Sequence, residues 1–213
     1  HLFAVLDGVK TDLLSLLPGG YRGEVDAVKA EMDKIVGLKE IKDYILSLEK
    51  NYKVQEMRKA QGLPVSNVSM HMIFTGNPGT GKTTSINCII RLMRQMGKVE
   101  LCAPTGRAAK RMTESVGADA QTIHRLLKWN PVTNRFTYDE TERYEGDVFI
   151  FDETSMIDVK LAANLLSAVP DGASVVWVGD TDQLPSVGPG SVLGDFIASG
   201  AIADVAVSRV MPV

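Results

Sequence analysis

Gly76-Asn77-Pro78-Gly79-Thr80-Gly81-Lys82-Thr83 has the form GxxxxGK[ST], preceded by the apolar run Met70 to Phe74 and followed by a helix-like run. Between a strand and a helix, such a loop binds nucleotide phosphates. Its glycines let successive backbone N–H groups turn inward as an anion nest, and the following helix adds the positive end of its dipole. Gly76 to Thr84 would line the phosphates and Lys82 would reach the β- and γ-phosphates, while Thr83 offers its hydroxyl to Mg²⁺. The expected ligand is Mg-ATP or Mg-GTP.

Outward from this loop, the texture from Ser69 onward is of short β-rich runs alternating with helical stretches, the pattern of βαβ units around a parallel sheet. Strands are expected at Met70 to Phe74, Val99 to Ala103, Val148 to Asp152, Ala173 to Gly179 and Ile202 to Val207. Their nearly uninterrupted apolar character suits a sheet covered on both faces. The expected fold is therefore α/β, a P-loop NTPase of RecA-like form with a five-stranded parallel sheet. Asn130 to Gly146 is polar, contains Pro131 and breaks both periodicities, which predicts an exposed excursion.

Residues 1–66 read as a helical amino-terminal segment, followed by the P-loop domain over 67–213. Leu2, Leu6, Val9 and Leu13 recur at helical spacing up to Pro18-Gly19-Gly20. Val25, Val28, Met32 and Ile35 line a second helix, and Ile41, Ile45, Leu48, Tyr52 and Met57 a third that stops by Gly62 and Pro64.

The 213 residues are 45% hydrophobic and carry a net charge of −3, which suits a globular protein. No apolar run is long enough to cross a bilayer, and His1-Leu2-Phe3 lacks the basic flank of a secretory signal, so no membrane association and a cytoplasmic location are expected. The missing initiator Met predicts a processed or trimmed chain, or a fragment of something longer. Cys88 and Cys102 lie in apolar surroundings without metal-ligand spacing, which predicts buried reduced thiols. Lys98, Arg107, Lys110, Arg111, Arg125 and Lys128 make a local basic stretch, whereas acids outnumber bases beyond residue 137. The acidic pI argues against strong nonspecific nucleic-acid binding.

Phe149-Ile150-Phe151-Asp152-Glu153 is an apolar strand ending in two acids, at the edge where parallel sheets place their ligands. It reads as a Walker B element. Asp152 would hold Mg²⁺ through water, and Glu153 would orient or deprotonate the attacking water. Gln183, beyond the strand Val175 to Gly179, has a neutral amide able to bond both phosphate oxygen and water, so it would sense the γ-phosphate. The alternative is a Gly-, Pro- and Asp-rich turn without a role.

Residues 70 to about 206 resemble the first motor domain of RecD-type DNA helicases. The resemblance is carried in order by Thr75 to Thr84, by Ala103-Pro104-Thr105-Gly106-Arg107-Ala108-Ala109-Lys110-Arg111-Met112, by Thr122-Ile123-His124-Arg125-Leu126-Leu127, by Asp152-Glu153-Thr154-Ser155-Met156 and by Val178 to Gly190. It implies contacts to single-stranded DNA by Thr105, Arg107, Thr122 and His124. Residues 32 to about 84 resemble instead the CbxX and SpoVK branch of AAA+ ATPases, through Ile35-Val36-Gly37-Leu38, Val54-Gln55-Glu56-Met57-Arg58 and the run into the phosphate loop. That resemblance implies that Ile35 and Val36 pack on adenine; a helix-breaking Gly37 between two helices is the competing reading.

The two resemblances meet at the phosphate loop, so the chain looks like a chimera joined there. Each half lacks parts of its family's pattern: the AAA+ sensor, arginine finger and lid on one side, the adenine-reading glutamine and second motor domain on the other. Pro212 stands where the helicases' catalytic arginine is expected, with Arg209 nearby. The expected activity is slow Mg-ATP hydrolysis with weak single-stranded DNA binding and no autonomous unwinding. The alternatives are a nucleotide-binding module without appreciable turnover and a homo-oligomeric AAA+ remodeller.

Overall fold

Alternation along three strands sorts the core into two layers. The computed structural model describes residues 39–64, 71–76, 82–94, 97–183 and 186–206. In β1 (Met72–Thr75), β6 (Val148–Phe151) and β7 (Ser174–Gly179), every residue is buried. Met72, Phe74, Ile150, Val176 and Val178 pack in one cluster with Ile86, Ile89, Ile90 and Met93 of α2 (Lys82–Met93). Ile73, Phe149, Phe151, Val175 and Trp177 point the other way, into a cluster with Ala162 and Leu165 of α5 (Val159–Ala168) and Leu193 of α6 (Val192–Ser199). A strand covered on both sides needs apolar side chains at every position, which is why these runs read as continuous rather than alternating.

The remaining elements of the main sheet are β2 (Val99–Ala103), β3 (Gln121–Thr122) and β8 (Ala203–Ala206). The order is β3-β2-β6-β7-β1-β8, and all pairings are parallel. The five expected strands are all present. The two-residue β3, pairing Gln121 with Cys102 and Thr122 with Ala103, extends the edge by a sixth that is too short to leave a periodic signal. Asp152 lies just beyond β6 rather than within it; its N–H still bonds the Cys102 carbonyl at 2.9 Å as the chain leaves the sheet.

Around the sheet, α3 (Gly106–Val116) follows β2, and the single-turn α4 (Ile123–Leu126) follows β3. Helix α1 (Lys39–Ala60) covers the third expected helix and packs Leu46 against the core beside α2. The two helices expected before it lie outside the described residues. Among the described residues no helix is long and apolar enough to cross a membrane.

The segment expected to be an exposed excursion is stitched to the domain. It begins with a hairpin of β4 (Trp129–Asn130) and β5 (Arg135–Phe136). Asn130 Oδ1 accepts the N–H groups of Val132 and Thr133 at 2.9 and 3.2 Å, and Asn134 takes a left-handed φ of 54°, the turn chemistry that closes such a loop. Phe136, Tyr138 and Tyr144 then pack on the second core cluster. The polar stretch hides three aromatic anchors spaced without helical or strand period, so periodicity did not show them. Cys88 and Cys102 are both buried thiols, as expected, and burial pushes the Cys102 thiol up.

Candidate functional site

Strand order decides which residues meet. Because β7 lies between β1 and β6, the carboxyl edge presents in turn Thr122 at the end of β3, Thr105 after β2, Asp152 and Glu153 after β6, Asp180 after β7 and Gly76 after β1. Gly76 donates its N–H to the Gly179 carbonyl at 3.3 Å, which fixes the entry to the glycine-rich loop against β7. Asn77, Pro78, Gly79, Thr80 and Gly81 lie outside the described residues, as do Ile35 and Val36. Lys82, Thr83 and Thr84 are the first backbone positions of α2, so the loop does lead from a strand into a helix start.

The two acids after β6 sit in a fixed turn. Asp152 Oδ1 accepts the Glu153 N–H at 2.9 Å, and the Glu153 carbonyl accepts the Met156 N–H at 3.1 Å. Glu153 itself is in the left-handed region, φ 54° and ψ 40°. A non-glycine residue there costs about 1–3 kcal/mol and persists where its surroundings over-determine it. Its side chain is only 15% exposed, and Oε1 accepts a hydrogen bond from Arg111 Nη2 at 2.9 Å.

The turn after β7 is built by its own carboxylate. Asp180 is buried, its Oδ1 accepts the Asp182 N–H at 3.0 Å, and its carbonyl accepts the Gln183 N–H at 3.3 Å. Gln183 is thereby turned back towards the acids, where its Oε1 accepts the Ser155 hydroxyl at 3.4 Å. Ser155, Asp180, Thr181, Gln183, Ser191 and Leu193 line a cleft of about 230 Å³. Among the described residues no group of three or more His, Cys, Asp and Glu side chains converges to hold a metal.

At the other end of the same edge, Thr105 and Thr122 are helix N-caps. Thr105 Oγ1 accepts the Ala108 N–H and Thr122 Oγ1 accepts the Arg125 N–H, both at 3.2 Å. A capping hydroxyl uses its lone pair on the helix, and its proton remains available to a further acceptor. Arg107 is exposed on the first turn of α3. His124 is exposed and belongs to an aromatic cluster, its ring centroid 6.2 Å from Trp129 and 5.7 Å from Phe136, with Trp129 and Phe136 4.7 Å apart. These three border a hollow of about 190 Å³ whose other side carries Asp158, Lys160 and Asn164.

Arg111 and Ser155 were named in the sequence only within the basic stretch and the helicase-like motifs and were given no role of their own, although Arg111 lies four residues after Arg107 and so on the same face of a helix. Trp129 and Phe136 had no signal, since each acquires its place from partners brought together by the fold.

A family model described as AAA domain matches residues 61–189, more than half of the chain. The chain belongs to this AAA domain family. The sequence is similar to RecD-type helicase proteins. It is 48% identical over 120 residues to the ATP-dependent RecD2 DNA helicase of Deinococcus radiodurans, a match covering 56% of this chain and 16% of that protein. It is 38% identical over 150 residues to the RecBCD enzyme subunit RecD of Mycolicibacterium smegmatis, covering 59% of this chain and 27% of the relative. The chain also aligns with the crystal structure of Pif1 helicase from Candida albicans at a TM-score of 0.48 and 20% identity, covering 83% of this chain and 41% of that one. The chain thus spans well under a third of the length of the two curated relatives.

Proposed function

We propose that this domain binds and slowly hydrolyses Mg-ATP and holds single-stranded DNA weakly along the same sheet edge. The observation that carries the reading is the strand order, which sets the entry to the phosphate loop at Gly76, the acids Asp152 and Glu153, and Gln183 on adjacent strand ends. The AAA domain match and the names of the RecD relatives support it.

In this reading the loop from Gly76 to Thr84 cradles the phosphates, Lys82 neutralises their charge, and Thr83 and Asp152 hold Mg²⁺. A site with one carboxylate and one hydroxyl fits that ion, which keeps several waters and shares its remaining positions with substrate phosphates rather than sitting in an all-protein cage. When bound, the metal supplies charge neutralisation at the transferring phosphoryl group. Glu153 orients the attacking water and accepts its proton, and Gln183, tied to Ser155, senses the γ-phosphate. Ile35 and Val36 are proposed as adenine contacts on resemblance alone.

For DNA, Arg107 supplies charge and the Thr105 and Thr122 hydroxyls supply donors to phosphate. His124 sits beside Trp129 and Phe136, whose ring faces suit a stacked base. The 213 residues by themselves are proposed not to separate strands, since converting nucleotide binding into movement requires bodies that close and open around it.

Mg-ATP should raise the melting temperature, because a ligand at 100 times its dissociation constant stabilises the folded state by about 2.7 kcal/mol. Lys82→Ala should remove the shift. Equal shifts in parent and variant would refute the assignment of the phosphate loop.

A further inference from the structure

The hollow beside Trp129 has an apolar wall and a polar one, and a base stacked on the rings would use only the first. The apolar wall is made by the hairpin, which pairs Trp129 with Phe136, and by the His124 ring that meets both. Leu161, packed partly on the second core cluster, also lines the hollow. The polar wall is the start of α5, where Asp158 is the N-cap and Lys160 and Asn164, four residues apart, share one face of the helix.

The side chains of the polar wall are only partly engaged. Asp158 Oδ1 accepts the Leu161 N–H at 2.7 Å, and Oδ2 has no partner among the described residues. Asn164 donates one Nδ2 hydrogen to the Lys160 carbonyl at 2.7 Å, which orients the amide and leaves Oδ1 as an unengaged acceptor. The exposed Lys160 ammonium makes no ion pair or hydrogen bond among the described residues. The wall therefore offers acceptors at Asp158 and Asn164 and a cationic donor at Lys160. The Watson–Crick edge of guanine is the complement, with donors at N1 and N2 and an acceptor at O6. Adenine, cytosine and thymine each carry a single donor group on that edge.

We propose that this hollow is a base-reading subsite that prefers guanine in single-stranded DNA. The base lies on Trp129, Lys160 donates to O6, and Asn164 Oδ1 and the Asp158 carboxylate accept from N1–H and N2–H. Stacking on the ring is open to every base, so discrimination falls to the edge. The inference rests on the reading of this sheet edge as a path for single-stranded DNA, and it adds base preference to a contact otherwise indifferent to sequence. Trp129 is 37% exposed and Lys160 and His124 are exposed, so water competes for each bond and the preference is modest.

The test is fluorescence anisotropy at low salt with labelled oligo(dT) and with the same strand carrying one central dG, dA, deoxyinosine or 7-deaza-dG. The dG strand should bind about five-fold tighter than oligo(dT), the lower end of what a base-reading pair is worth. Deoxyinosine, which lacks the N2 amine, should lose part of that gain, and 7-deaza-dG, altered only away from the Watson–Crick edge, should keep it. Neither Lys160 nor Asn164 belongs to the buried core, so Lys160→Ala and Asn164→Ala should fold and erase the preference, while Trp129→Ala should weaken all strands. Equal affinity for the dG, dA and oligo(dT) strands, or a preference for dG that survives both α5 variants, overturns the proposal and leaves the DNA path standing. Binding of none of the strands overturns both.

Discussion

Thr154 donates its hydroxyl proton to the Val178 carbonyl, 3.0 Å away, and both residues are buried. This bond ties the turn that carries Glu153 to the strand end that carries Asp180 and Gln183. The bond satisfies a buried carbonyl at the end of a central strand, and the tie joins the two halves of the proposed hydrolytic site.

Gly179 lies beside that tie and has no room for a side chain. A Cβ there would stand 2.5 Å from Leu193 Cδ2 and 2.7 Å from Thr154 Oγ1. Leu193 can swing its methyl aside, but Thr154 cannot move without releasing Val178. Gly179→Ala should therefore lower stability by about 1–3 kcal/mol, as overpacking does, measured by urea unfolding. Unchanged stability would show that the contact relaxes.

Glu153→Gln should keep Mg-ATP binding and lose phosphate release by about 100-fold or more, the contribution expected of a positioned base. The amide preserves the size of the side chain and can keep a hydrogen bond to Arg111, so folding should be unaffected. Parent-like release in a phosphate assay would remove Glu153 from the mechanism.

Binding of single-stranded DNA should weaken as salt rises, because it works through phosphate contacts. Fluorescence anisotropy with a labelled oligo(dT) should show this dependence, and Arg107→Ala should reduce both the affinity and the salt slope. An affinity independent of salt, or none at low salt, counts against a nucleic-acid role.

His71 offers a pH-dependent handle on the opposite edge of the sheet. Its Nδ1 accepts the Val175 N–H at 3.2 Å, and burial lowers its pKa from the ordinary 6.5. The fold thus favours the neutral ring. Protonation favours the unfolded chain, so this group costs no stability above pH 6.5 and an increasing amount as pH falls below it. An NMR titration of the imidazole should give a midpoint below 6.5, and a midpoint at or above that value would contradict the contact.

Much of the fold was legible because its signals are local. The five strands appear as short apolar runs, since a strand buried on both faces must be apolar throughout. The acids after β6 were legible for the same reason, a strand run ending in charge. By itself the sequence determined the parallel α/β class, the two acids that follow β6, and the buried state of the two cysteines.

The tertiary structure decided which of these residues are neighbours. That β7 inserts between β1 and β6, that Gln183 turns back onto Ser155, and that Arg111 reaches Glu153 are pairings between residues distant in sequence, set by strand order rather than by local preference. The anchoring of Phe136, Tyr138 and Tyr144 has the same origin, since each ring is held by surfaces from other parts of the chain. Hydrogen bonding and periodicity within a few residues write themselves into the sequence, whereas packing between distant elements depends on loop closures and shared surfaces that exist only once the sheet has assembled.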